Sequence, residues 1–184
     1  MKSFVFLADG FEELEALSPV DVMRRAGMDV TTVSISSSLE VTGAHGVVVK
    51  ADKLFADVDF EGAEWIVCPG GLGGAQNLAA FEPLAKMLKS RVEANLKVAA
   101  ICASPALVFA PLGIIKGRKA TCYPGMESYC SGSEMIDTFV VKDGCVITGQ
   151  GPAAAIEFAL AIVADSLGAD KAAEVAAGLL YDRK

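Results

Sequence analysis

The sequence is short of the residues from which most metal and acid–base sites are built. It has a single histidine, His45, and its five cysteines include no CxxC pair. Zinc sites usually draw on closely spaced Cys and His ligands, so neither a metal nor a cofactor is expected. Clustered basic residues are missing as well. Lys and Arg number 16 against 23 Asp and Glu, for a formal net charge of −7, and the densest basic spots (Arg24-Arg25, Lys116 to Lys119) are short. That argues against a nucleic-acid partner, whose phosphates require clustered cations. No apolar stretch approaches the roughly 20 residues that span a bilayer. The apolar run after Lys2 ends at Ala8, with acidic residues close behind and no small-residue cleavage site. It reads as a buried strand rather than a signal peptide, and a cytoplasmic protein is expected. In that compartment an odd, scattered set of thiols (Cys68, Cys102, Cys122, Cys130, Cys145) stays reduced.

What is present is a hydrophobic alternation. Apolar residues make up 53% of 184 residues, enough for one domain, 1–184, with a full core. Residues 3–8 form a continuous apolar run, as in a strand covered on both faces. A helix is predicted over about 12–26, with Leu14, Leu17, Val20 and Met23 at helical spacing and Gly27 as its stop. Further strands are predicted at 29–35, 65–68 and 97–101, a hairpin at 39–49, and helical sequence from about 74 to 94. A second hairpin over 137–149 turns at Asp143-Gly144, and helices over about 153–166 and 169–181 follow. Strands alternating with helices imply a mainly parallel sheet covered on both faces, with ligands bound at the carboxyl ends of the strands.

Three segments leave strands at that edge. In VAAICASPALV (98–108) an apolar strand runs into Cys102, and small residues with Pro105 begin a helix. This resembles a nucleophile elbow, and a helix N-terminus beside the thiol favours the thiolate. The alternative is a buried structural cysteine. In Cys68-Pro69-Gly70-Gly71-Leu72-Gly73-Gly74 a glycine turn aims N–H groups at an anion or developing oxyanion, or is merely a tight β-to-α turn. In Asp9 to Glu15, Glu12 and Glu13 suit a first helical turn. Glu15 either faces the sheet edge as a proton carrier of raised pKa or is a solvated surface residue.

Taken together and in this order, the segments resemble the ThiJ/PfpI superfamily, most closely the branch of the Parkinson-disease-associated protein DJ-one. LADGFEELEALSPVDVMRRAG (7–27), CPGGLGGAQNL (68–78), AAICASPALV (99–108) and GQGPAAAIEFALAIV (149–163) carry the resemblance. It implies a flavodoxin-like three-layer α/β/α sandwich, like class I glutamine amidotransferases, and a homodimer. It further implies Cys102 as nucleophile or redox-sensitive thiol and Glu15 as the protonated carboxyl bonded to its sulfur. Backbone N–H groups at Gly70, Gly71 and Ala103 would form the oxyanion site. Arg25 would sit near Glu15, Gly151 and Pro152 would line the pocket, and His45 would take the place of an arginine lent to the neighbouring subunit. PfpI-type proteases carry a histidine directly after the cysteine, where this chain has Ala103, and many relatives have one where Tyr123 stands. A Cys-His proteolytic dyad is therefore not expected. The resemblance implies a glyoxalase- or deglycase-type enzyme acting on small aldehydes and dicarbonyls, with an oxidative-stress sensor or chaperone-like protein as the alternative. A Cys hydrolase or amidase, and a thiazole- or thiamine-related role, rank below these.

Overall fold

A computed structural model describes residues 2–181. Its elements, in chain order, are β1 (Lys2–Leu7), α1 (Glu13–Arg25), β2 (Asp29–Ser34), β3 (Glu40–Thr42), β4 (Val48–Lys50), β5 (Lys53–Leu54) and β6 (Ile66–Cys68). There follow α2 (Leu72–Ala80), α3 (Glu82–Glu93), β7 (Val98–Ile101), β8 (Lys119–Ala120), β9 (Glu134–Met135), β10 (Val140–Asp143), β11 (Val146–Gly149), α4 (Ala155–Leu167) and α5 (Ala169–Gly178).

Seven strands form the central sheet in the order β10-β11-β7-β6-β1-β2-β5, and every pairing is parallel except β10 with β11. Side chains alternate across it, as strand geometry requires. Phe4 and Phe6 of β1 join Leu84 and Leu88 of α3 on one face, while Val5 joins Val20 and Met23 of α1 and Phe158 and Ile162 of α4 on the other. This is the flavodoxin-like sandwich the sequence predicts. Trp65, fully buried before β6, donates its indole N–H to Ser166 Oγ at 2.8 Å and ties α4 to the sheet.

Three local expectations are corrected. Helical sequence over 74–94 is two helices, because Phe81 leaves the helical region (φ −86°, ψ 92°) and Pro83 opens α3, where its missing N–H costs nothing. The core stripe of α1 is also rotated from the expected one. Ala16, Pro19, Val20 and Met23 are buried, whereas Leu14 (57% exposed) and Leu17 (37%) face outward. Finally, the helix expected after Cys102 is only a single π-helical turn, Pro105–Phe109.

Candidate active site

At the carboxyl edge of the sheet, β1, β6 and β7 release the three loops singled out above. β7 ends at Ile101, and Cys102 follows with φ +65°, a left-handed conformation that a non-glycine residue holds only when its surroundings enforce it. They do so here. Cys102 N–H donates to Gly149 O at 2.9 Å, its own carbonyl accepts Tyr123 N–H at 2.8 Å, and Ser104 Oγ donates to Pro69 O. The elbow is thus pinned to β11, to the loop after β8 and to the glycine turn.

The glycine turn and the β1–α1 loop interlock backbone to backbone. Glu12 N–H donates to Gly70 O at 3.0 Å, and Gly74 N–H to Gly10 O at 3.0 Å. Gly71 has φ +81°, and a Cβ there would strike Gly10 O and Glu12 N. A Cβ at Gly70 would strike Glu15 Oε2 and lie 2.6 Å from Cys102 Cβ. Overpacking of this kind costs about 1–3 kcal/mol. Gly70→Ala should therefore lower the urea midpoint of unfolding by a corresponding amount, and an unchanged midpoint would show that this contact is not tight.

Glu15 is fully buried on the inner side of α1. Its Oε2 accepts Gly70 N–H at 2.9 Å, Oε1 has no hydrogen-bond donor among the described residues, and the carboxyl as a whole lies beside the Cys102 thiol. A buried carboxylate oxygen without a donor is costly, and a protonated one that itself donates is not. Burial accordingly raises Glu15 from its ordinary 4.5 to about 7, against the hydrogen bonds from Cys102 and Gly70. Of the two sequence readings of Glu15, the one facing the sheet edge holds.

Burial also pushes the Cys102 thiol up, to about 12, and a charged Glu15 beside it adds to the push. The N–H groups of Gly71 and Ala103 reach the sulfur and pull the other way. The expectation of a thiol depressed by a helix N-terminus is therefore not met, since only one π-helical turn follows and the sulfur is mostly covered. The titrating neighbour of the thiol is instead Glu15, whose charge opposes the thiolate.

A pocket of about 580 Å³ opens on the sulfur, lined among others by Glu12, Gly71, Leu72, Ala103, Tyr123, Met126, Tyr129 and Pro152. Gly151 lies beside it, in a small crevice shared with Tyr123 and Pro152. A cavity of similar size, about 610 Å³, lies at the opposite edge of the sheet beside Ala63, Glu64, Ser90 and Lys97, and no cysteine or histidine lines it. It is the Cys102 edge that brings a thiol and a buried carboxyl together.

Several predicted placements differ. Gly70 N–H is committed to Glu15, so among the proposed oxyanion donors only Gly71 and Ala103 face the sulfur. Arg25 is not near Glu15: its Nε binds Asp21 Oδ2 at 2.7 Å on the solvent side. Ten residues along one helix amount to about 15 Å, too far for contact. His45 is 70% exposed at its side chain and outside the pocket of its own chain, with Nδ1 2.8 Å from Glu13 Oε2. Glu13 does more than complement a helix dipole. Its Oε1 accepts the His45 N–H at 2.8 Å, so it fastens the β3–β4 hairpin to α1, and these bonds hold its carboxyl below the usual range despite the opposing effect of burial. Glu12, Glu13 and His45 bring potential metal-ligand atoms within 4.8 Å of one another, but ion pairs already account for that contact. Sequence reasoning missed Leu72, Met126 and Tyr129 as pocket residues, the latter two because an irregular loop carries no periodicity to read.

The fold and the site define a class, the α/β sandwiches that present a cysteine on an elbow beside a buried carboxyl. The chain belongs to the DJ-1/PfpI family, whose model matches residues 1–165. It is 43% identical over 174 residues to Protein DJ-1 homolog B of Arabidopsis thaliana, covering 95% of this chain and 40% of that one. The chain thus spans less than half the length of that relative. A solved structure of Toxoplasma gondii DJ-1, oxidized, superposes with a TM-score of 0.95 at 37% identity, over 98% of both chains. Deglycase TK1284 of Thermococcus kodakarensis is 32% identical over 83% of this chain and 91% of its own. No helix among the described residues is long and apolar enough to cross a membrane.

Proposed function

We propose that the protein is a Cys102-dependent enzyme that acts without a cofactor on small reactive carbonyls, of glyoxalase or deglycase type. The observation that carries this reading is the buried carboxyl of Glu15 beside the Cys102 thiol, one of its oxygens without a donor and its pKa raised by burial to about 7. Such a pair can supply a nucleophile and take back a proton at the same place. Glu15 takes the thiol proton as sulfur adds to the aldehyde carbon of methylglyoxal, and passes it to the carbonyl oxygen, which has become an alkoxide. The N–H groups of Gly71 and Ala103 stabilise the charge while it exists. Glu15 then takes the proton from the former aldehyde carbon and returns it to the neighbouring carbon, while the hydroxyl proton passes from the first oxygen to the second, leaving a lactoyl thioester. Water hydrolyses the thioester to lactate and restores the thiol. The deglycase name of the Thermococcus relative supports the same substrate class. The test is lactate formation from methylglyoxal by wild type, Cys102→Ser and Glu15→Gln; equal rates in all three would sink the proposal.

We further infer a homodimer. Leu14 and Leu17 of α1 are exposed, and so are Val47 and Val48 of the hairpin that Glu13 fastens to the same helix. A second copy would cover this apolar face. Sedimentation equilibrium is expected to show a dimer for the wild type and a shift toward monomer for Leu14→Glu. A monomeric wild type would overturn this assignment.

A further inference from the structure

A pair of thiols stands behind one wall of the pocket. Cys122 lies just after β8, and Cys130 caps the short 3-10 turn at 127–129. Both side chains are buried in the same apolar cluster, and their thiols lie close enough to interact with each other. The segment between them supplies Tyr123, Pro124, Gly125, Met126 and Tyr129 to the Cys102 pocket. Tyr123 N–H, next to Cys122, is held by the carbonyl of Cys102 itself. The two thiols therefore bracket a wall that is attached directly to the nucleophile. Cys122 also lines a second cavity of about 320 Å³, with Glu127, Ile136 and Gln150, which does not include Cys102. A small oxidant has its own route to this sulfur.

We propose that Cys122 and Cys130 are a modification site, which a hydroperoxide closes to an intramolecular disulfide that locks the pocket wall over Cys102. Access sets the roles: Cys122 lines that cavity and Cys130 does not, so Cys122 meets the oxidant and Cys130 resolves. The Cys122 sulfur, as its thiolate, attacks the terminal peroxide oxygen. The O–O bond breaks, the alkoxide leaves and is protonated to the alcohol, and Cys122 becomes a sulfenic acid. Cys130 sulfur then attacks Cys122 sulfur, an S–S bond forms, and water leaves carrying the Cys130 proton. Two thiols lose two electrons in all, and the peroxide gains them. Bonded sulfurs sit about 2 Å apart, closer than two thiols in contact, so the ends of the 123–129 segment are drawn together and held. This site operates whether or not Cys102 turns over carbonyls.

The test uses the full chain carrying Cys102→Ser, so that only the pair responds. After exposure to equimolar tert-butyl hydroperoxide, free thiols are blocked with N-ethylmaleimide and the protein is digested with trypsin. Both cysteines fall in the one fragment 120–142, which has no internal Lys or Arg. The fragment is expected unlabelled and lighter by two hydrogens, and reduction with dithiothreitol should restore two labels. A fragment carrying both labels after oxidation would overturn the proposal. The lock has its own readout. With Cys102 intact and the pair closed by diamide, alkylation of Cys102 by iodoacetamide should slow about fivefold relative to Cys130→Ser treated alike, because a fixed wall cannot swing aside. Equal rates would overturn the coupling to the pocket. Cys122→Ser serves as a second control and should match Cys130→Ser.

Discussion

Replacing Cys102 by serine is expected to lower lactate formation from methylglyoxal by about three orders of magnitude or more. The two side chains have nearly the same shape, so the loss cannot be assigned to misfolding if the unfolding midpoint is retained. What changes is the nucleophile. An alcohol gives up its proton far less readily than a thiol, and a carboxyl titrating near 7 cannot take it to a useful extent. The N–H groups of Gly71 and Ala103 would still face the atom in place of sulfur, so any residual rate in Cys102→Ser measures what they contribute without it.

The second large effect belongs to Glu15→Gln and has two signatures. In the folded protein Glu15 titrates at about 7, above its ordinary 4.5. A raised value means that the native state binds the proton more tightly than the unfolded chain does. Its stabilising contribution is therefore fully present below 4.5 and lost as pH rises through 7, and the gap corresponds to about 3 kcal/mol. Glutamine cannot ionise, yet its carbonyl can accept Gly70 N–H and its amide can donate to the sulfur. Urea midpoints at pH 5 and pH 8 should accordingly show wild type weakening across the interval while the variant holds, with the variant the more stable at pH 8. Parallel profiles would remove Glu15 from this role. Activity should move the opposite way, falling about 10²- to 10³-fold, since the variant can neither lend nor recover a proton. A variant that is at once more stable and less active separates chemistry from scaffolding.

How much of this could be read in the residues differs from place to place. The buried strands announce themselves, because runs such as 3–8, 65–68 and 97–101 have no other stable home than a covered sheet. The cysteine turn was visible from its small neighbours and Pro105. Glu15 was not visible from periodicity, since helical spacing singled out Leu14 and Leu17 as the inner stripe and the fold places both outside. The residues alone left Glu15 open between the sheet edge and solvent, the resemblance decided for the former, and the reason is physical. A functional acid in the core breaks the polar-out pattern on which such readings depend. Arg25 could have been excluded beforehand, because the rise per residue of a helix keeps positions 15 and 25 apart. The commitment of Gly70 N–H to Glu15 could not have been foreseen, as it follows from how two loops meet in space.

That meeting of loops also determines where the protein can change. One side of the pocket is backbone against backbone, with Gly10, Gly71 and Gly74 so close that an added methyl group has no room, or next to none. The facing side, from Tyr123 to Tyr129, presents partly exposed side chains on an irregular segment. For laboratory evolution toward bulkier aldehydes, libraries drawn from the glycine side should yield mostly unfolded protein, while new substrate ranges should come from the tyrosine-bearing loop.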